Sequence, residues 1–342
     1  LPENLPVGVL DLDNSSLSRN FCRQLDATQM GKVIKYEDFT TARNAMQTGE
    51  ITSLCVIPQG MNEEVNANRR PVFTYYVNTL YLIGGALSYK NILTMVTLTG
   101  GAVQREVLRA KGYSEDAIMG LIQPIVVDEH KIGNATTNYG VYLNNIILPG
   151  LLALSIVFVL IYALGSELRY GTSKELMETA DGSMAAALIG KLLPYTLIYL
   201  VLGLGLDLLL FGVCRYPLNG SILNMMLAMV VFILANEAVA VTLVGLLPTL
   251  RYSLSIAALF AILGFSFSGF TFPVEAMPVA FQGVSCLFPL RFYYLLYVQE
   301  AMFGVGFAGW WQYIVYMLLF LVGPFCVCGR LKRAWLNQNY AI

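Results

Sequence analysis

"SELRYGTSKELMETADGS", Ser166–Ser183, separates two of the most apolar stretches in the chain. Before it runs "LPGLLALSIVFVLIYALG", Leu148–Gly165, and after it "LLPYTLIYLVLGLGLDLLLFG", Leu192–Gly212. Crossing a bilayer as a helix takes about 20 mostly apolar residues, and each flank supplies them. The charged gap therefore joins two spans on one side of a membrane. It concentrates Glu167, Arg169, Lys174, Glu175, Glu178 and Asp181 where lipid cannot hold them. Gly171 is placed to end a helix running out of the first flank. Thr172 and Glu175 have the spacing of a capping box ahead of Leu176 and Met177, which predicts a short helix over "TSKELMETA". Read from spacing alone, that helix is a solvated connector.

The rest of the composition agrees. Of 342 residues, 56% are hydrophobic and 13% charged, with mean hydropathy +0.62, whereas soluble domains are about a quarter charged. A net charge of −1 gives no electrostatic case for nucleic acid. One histidine and six scattered cysteines offer no metal cluster. Residues 1–140 hold 12 Lys/Arg and 14 Asp/Glu, leaving 9 and 8 for the remaining 202. The expected division is a water-facing domain over 1–140 and a membrane domain over 141–342.

Five segments qualify as spans: about 143–165, 188–212, 222–247, 253–272 and 310–329. Between the last two, Pro273, Pro278 and Pro289 break an apolar stretch into pieces too short to cross. Residues 273–306 are expected as re-entrant or interfacial helices. If the loop 166–187 faces the cytoplasm, Arg169, Lys174, Lys191, Arg251, Arg330, Lys332 and Arg333 lie inside or at the inner edge, against Arg215 and Arg291 outside. This bias sets the orientation and places 1–140 outside. A sixth span is then expected before Leu1. The fold class is an α-helical membrane bundle with an α/β extracytoplasmic domain. "YLIGGALSYKNILTMVTLTGGAV", Tyr81–Val103, is also long enough to cross. Lys90 at its centre would cost about 2.5–3.5 kcal/mol in mid-bilayer, so it reads as an amphipathic helix of the outer domain.

Within 7–140, "VGVLDLD", "KVIKY", "TSLCVIP" and "PVFTYYVN" read as strands, and "PIVVDEHKI" as a final one. "SSLSRNFCRQLDA" reads as a helix capped by Ser15 or Ser16, and "EDFTTARNAMQTGE" as one closed by Gly49. Asp11 and Asp13 lack a third ligand and read as a strand end turning into a capped helix. His130 has no partner in sequence and reads as a surface residue. Cys22 and Cys55 are either an extracytoplasmic disulfide or two buried thiols.

Three polar groups fall inside spans and are candidates for a translocation pathway: Asn236, Glu237 and Asp207. A mid-membrane carboxylate faces a partner or a wet cavity. Glu237 is thus either functional or a protonated structural residue bonded to a span such as "GFSFSG". Asp207 lies nearer a span end and reads as reaching the interface. Gly203, Gly205, Gly264 and Gly269 read as close-packing sites, and Cys326 and Cys328 as inert packing. "GSMAAALIGKLL" is not a phosphate loop. Gly182 and Gly190 are eight residues apart rather than five, and Leu192 stands where a Ser or Thr is needed.

"SELRYGTSKELMETADGSMAAALIGKLLPY", Ser166–Tyr195, resembles the cytoplasmic segment of ATP-binding-cassette (ABC) permeases of the type-2 family. "FSGFTFPVEAMPVAFQGVSCLFPLRFYY", Phe267–Tyr294, resembles that family's stretch before its last span. "VGVLDLDNSSLSR" and "AMQTGEITSLCVIPQGMNEEV" resemble the outer domain of its drug-exporter-like branch. The resemblance runs through essentially the whole chain; the departure is the absent first span. It implies a permease subunit of a bacterial exporter in the cytoplasmic membrane. Two permease copies pair, as homodimer or heterodimer, with separate cytoplasmic ATPase subunits carrying ATP and magnesium. Some relatives also dock a periplasmic adaptor. Glu167, Arg169, Gly171, Thr172, Lys174 and Glu175 would form the ATPase-coupling region, with no cofactor in this chain. A non-transporting membrane receptor or scaffold, sensing a ligand through its outer domain, is the other class the residues allow.

Overall fold

The computed structural model describes residues 5–28, 31–67, 69, 71–77, 82–122, 134, 138–271, 274 and 277–337. By compactness the chain divides into Leu1–Glu129 and His130–Ile342.

The first unit is α/β. Strands β1 (Leu5–Asp11), β2 (Gly31–Tyr36), β3 (Ser53–Ile57) and β4 (Thr74–Val77) alternate with helices α1 (Ser16–Asp26), α2 (Phe39–Thr48) and α3 (Met61–Asn66). The sheet order is β2-β1-β3-β4, with β1 parallel to both neighbours and β4 antiparallel at one edge. β1 is buried from Val7 to Leu10, as expected of a parallel strand covered on both faces. Val7, Val9, Cys55 and Ile57 pack against Phe21 and Leu25 of α1. Leu10 and Leu54 pack on the other face with Ala42 and Ala45 of α2. Helix α4 (Leu82–Ala110) adds Ile92 and Met95 to the α1-side core, and α5 (Glu115–Ile122) follows it. This packing accounts for part of the apolar face of α4, which is not among the described helices long and apolar enough to cross a membrane. The predicted strand Pro124–Ile132, including His130, lies outside the described residues.

Local chemistry sets the element ends. Ser15 caps α1 by accepting from the Ser18 amide at 3.1 Å, an arrangement worth about 1 kcal/mol. Asp38 caps α2 through the Thr41 amide, and Gly49 closes it at φ 83°, where a Cβ would be strained. Asp11 accepts from the amides of Asp13 and Asn14 and from the Ser18 hydroxyl, and Asp13 from the Asn62 amide. Both carboxylates therefore fasten the turn after β1. Cys22 and Cys55 are free thiols, both buried.

The second unit is all-helical. Its elements are α6 (Tyr139–Tyr170), α7 (Ser173–Thr179), α8 (Met184–Asp207, extended by a π-helical turn to Val213), α9 (Ile222–Leu246), α10 (Leu250–Ser266), α11 (Val279–Ser285), α12 (Pro289–Tyr297, followed by a π-helical turn to Met302), α13 (Phe307–Leu319) and α14 (Val322–Asn337). Among the described residues, four helical stretches are long and apolar enough to cross a membrane: 139–170, 184–213, 222–246 and 307–337. The most apolar window of α9 is 72% buried, against 50%, 22% and 17% in the others. α9 is therefore the hub, touching α6, α8, α10, α12, α13 and α14.

Several expectations are corrected. The span expected over 253–272 is a 17-residue helix, α10, that stops at Ser266. Ser268 bonds back to the Phe265 carbonyl, and Gly269 adopts φ 89°, which no continuing helix can accommodate. Residues 166–170 are not loop but the last turn of α6. The apolar stretch after α10 contains α11 and the α12 stretch to Met302, which meet at a bend of 89°. Helices in lipid associate through close packing, and a Cβ at Gly203 would come within 2.9 Å of Ile233 and Met229. Gly205, by contrast, faces open space, and Gly264 would make only ordinary contact at 3.5 Å with Phe288. Close approaches between helices that were missed in sequence include Gly150 on Phe265, Gly165 on Leu250, Gly245 on Val327 and Gly323 on Thr242. Cys326 is exposed rather than packed, whereas Cys328 is half-buried and packs against the helical core as expected.

Candidate functional site

The charged segment is built from both ends of the second unit. Gly171 takes φ 74°, ψ 13° and ends α6 as its position predicts. Thr172 then enters α7, but the capping box does not form. Thr172 sits in the right-handed helical region, makes no side-chain cap, and its hydroxyl donates to Glu167 instead. The other oxygen of Glu167 is 2.5 Å from the Lys191 ammonium of α8, a pair whose side chains are 12% and 26% exposed. Glu167 thus ties the ends of two spans together, and Lys191 completes a pairing that spacing did not reveal.

Helix α7 has two faces. Ser173 and Met177 are buried, and the Ser173 hydroxyl donates to the main-chain carbonyl of Trp335 at 2.9 Å. Trp335 of α14 is itself fully buried, and Lys332 donates to the Gly182 carbonyl at 2.7 Å. Lys174, Glu175, Glu178 and Asp181 lie on the exposed side, with Arg169 and Tyr170 beside them. The arrangement is a short strut clamped to the last helix, presenting mixed charge to solvent. Of the six residues singled out for coupling, Arg169, Gly171, Thr172, Lys174 and Glu175 are exposed, whereas Glu167 is committed to Lys191 and Thr172.

The three intramembrane polar residues do not converge. Asn236 is buried and donates to the Phe232 carbonyl of its own helix at 2.8 Å. It lines a small cavity of about 20 Å³ with Gly150, Phe260 and Phe288, between α6, α10 and α12. Glu237, one residue on, turns the opposite way and accepts from the Thr196 hydroxyl of α8 at 3.0 Å. The expected partner, "GFSFSG", is not the one it uses. Asp207 is buried within the bundle, 1% exposed, with Tyr293 and Tyr297 alongside and, among the described residues, both oxygens lacking a well-directed hydrogen bond.

A third carboxylate escaped sequence reading. Glu300, in the π-helical turn after α12, is 1% exposed and accepts from Trp310 Nε1 at 2.5 Å, the Ser221 amide at 2.8 Å and Asn224 Nδ2 at 2.7 Å. Asn219 adds two bonds to the carbonyls of Ala301 and Met302. Gly220 is required there, since a Cβ would lie 2.6 Å from the Glu300 carboxyl. A lone acidic residue in an apolar run was the available signal, but its partners lie up to 79 residues away.

Long apolar helices around an enclosed hub, with charge collected on one inter-span strut, define a multi-pass membrane protein. The chain belongs to the ABC-2 transporter family: the model for "ABC-2 family transporter protein" matches residues 2–328, nearly its whole length. Membership makes it a membrane component of a transporter. Comparison with curated proteins gives no match.

Proposed function

We infer that the chain is the permease subunit of a bacterial ABC exporter in the cytoplasmic membrane. It works as a dimer, homomeric or heteromeric, and a separate ATPase subunit supplies ATP hydrolysis. The observation that supports this best is α7. A seven-residue helix fastened to α14 through Ser173, Met177 and Trp335, with charge on its free side, can transmit a push from a soluble partner. Glu167–Lys191 ties the same region to two spans, so displacement of α7 would be felt by α6, α8 and α14 together. A mixed-charge face favours a partner of complementary charge pattern. In this orientation the α/β unit is extracytoplasmic, where an adaptor can reach it.

The test is co-purification of the full chain with its nucleotide-binding partner and measurement of ATP hydrolysis. Combined reversal of Lys174→Glu, Glu175→Lys and Glu178→Lys should abolish association while leaving thermal stability unchanged. Retained association would remove α7 from the coupling role. Impermeant thiol labelling of intact cells should spare a cysteine at Lys174 and modify one at Thr40; the reverse pattern would invert the topology.

A further inference from the structure

Helix α9 carries two successive polar side chains, and packing accounts for only one. Asn236 bonds to its own helix. Glu237 is 94% buried, counting from its 6% exposure, and only its Oε2 is held, by Thr196. Among the described residues, Oε1 has no hydrogen-bond partner. The side chain lines an apolar groove of about 380 Å³ between α8, α9 and α14, walled by Leu188, Leu192, Leu234, Val241 and Phe325. Phe325 on the rim is 82% exposed, so the groove opens sideways from the bundle.

Depth narrows the occupant. Glu237 is 15 residues from the start of α9 and nine from its end, about 22 and 14 Å at 1.5 Å per residue. That is near the centre of a hydrocarbon layer about 30 Å thick. Phospholipid headgroups do not reside there, and acyl chains alone leave the carboxyl unsatisfied, which is costly in lipid. The complement is a group that brings both an N–H donor and positive charge on an apolar body. The groove's volume falls in the range of small-molecule sites. A quaternary ammonium supplies the charge but no N–H.

We propose that this lateral groove binds amphipathic organic amines, the protonated nitrogen donating to Glu237 Oε1 and the apolar body filling the space between α8 and α14. Thr196 is a positioning residue that fixes the carboxylate through its other oxygen. The inference deepens the transport reading and rests on it for its purpose, but binding is measurable without the ATPase.

The experiment uses the purified full chain in lipid nanodiscs, with dodecylamine as probe and dodecanol as the uncharged control, read by calorimetry. Wild type should bind dodecylamine about tenfold more tightly than dodecanol, the ratio one charge-assisted hydrogen bond supplies. Glu237→Gln keeps the shape and the Thr196 contact, and should bring the two affinities together by weakening only the amine. Leu192→Trp fills the groove without touching the carboxylate and should weaken both. Equal affinities in wild type would mean a groove for apolar chains only, and unchanged amine binding in either variant would likewise overturn the site. Amine binding as described, with no stimulation of a co-purified ATPase, would instead count against the transport reading and leave the site standing.

Discussion

The Ser173 hydroxyl meets the main-chain carbonyl of Trp335 at 2.9 Å, joining positions 162 residues apart in the chain. This bond places the inter-span strut on the last helix of the protein, and both groups are buried. Ser173→Ala removes the donor and leaves a buried carbonyl unpaired, a loss of about 1–3 kcal/mol. Trp335→Ala opens a cavity as well and should cost about 3–5 kcal/mol. Thermal unfolding in detergent should rank them in that order, and limited proteolysis at Lys174 should accelerate in both.

Glu167 and Lys191 form a partly buried pair, with Thr172 donating to the second carboxylate oxygen. Removing one partner strands the other, so Glu167→Ala and Lys191→Ala should not add. A double-mutant cycle should give a favourable coupling of about 1 kcal/mol or more, the range for charges in contact. Coupling near zero would mean that the pair is solvated.

Glu300 anchors the loop between α8 and α9 to the turn after α12. Glu300→Ala deprives Trp310, Asn224 and the Ser221 amide of their acceptor at once. Trp310 is buried whereas Asn224 is half-buried and Ser221 exposed, so the stranded indole N–H should dominate, lowering stability in thermal denaturation by about 1–3 kcal/mol. Glu300→Gln should recover part of the loss and shift the fluorescence of Trp310. Gly220→Ala, which drives a methyl group against the same carboxyl, should destabilise without removing any hydrogen bond.

Acid should loosen the α/β unit through its carboxylates. The Thr41 amide bond to Asp38 holds its carboxyl below the ordinary value of 3.8, and hydrogen bonds from Arg109 and Arg105 hold Glu115 below 4.5. A depressed folded value contributes stability above the unfolded value, and this is lost as pH falls through the folded one. Destabilisation should therefore begin as pH drops below about 4. Asp38→Asn keeps a capping acceptor without a titrating proton, so it should flatten that part of the profile in circular dichroism. An unchanged acid limb would show that α2 is not capped through this carboxylate.

Thiol reactivity should divide the cysteines by burial. Burial raises the thiol values of Cys22 and Cys55, which disfavours the reactive thiolate. Cys214 and Cys286 are exposed. Maleimide labelling of the native protein should modify Cys214 and Cys286 and spare Cys22 and Cys55 until denaturant is added. A disulfide between the latter two would instead appear as resistance even after unfolding, reversed by reductant.

The elements were legible wherever one local rule decided them. Apolar length marked α6, α8 and α9; Gly49 and Gly171 marked helix ends; Ser15 or Ser16 marked a cap, and Ser15 is the one that forms it. Lys90 argued against reading α4 as a span; α4 is not among the described helices apolar enough to cross, and Ile92 and Met95 show what part of its apolar face packs against. Spacing misled at the start of α7. Thr172 has capping-box spacing, yet its backbone is right-handed helical where a cap residue is extended, so its oxygen accepts from no amide of α7 and its hydroxyl donates to Glu167.

Periodicity, apolar length and turn chemistry act over a few residues, so the order of residues alone marked the three long apolar helices α6, α8 and α9, the charge between α6 and α8 and the α/β pattern. Where α10 stops was decided instead by Ser268 and Gly269. Contacts in three dimensions decide what each carboxylate does. Asp207, Glu237 and Glu300 are alike in sequence, each a single acid in an apolar run. One lies against two tyrosine hydroxyls, one keeps an oxygen unpaired above a groove, and one is saturated by three donors. Desolvation makes those differences matter, and the neighbours that set it come from helices tens of residues away.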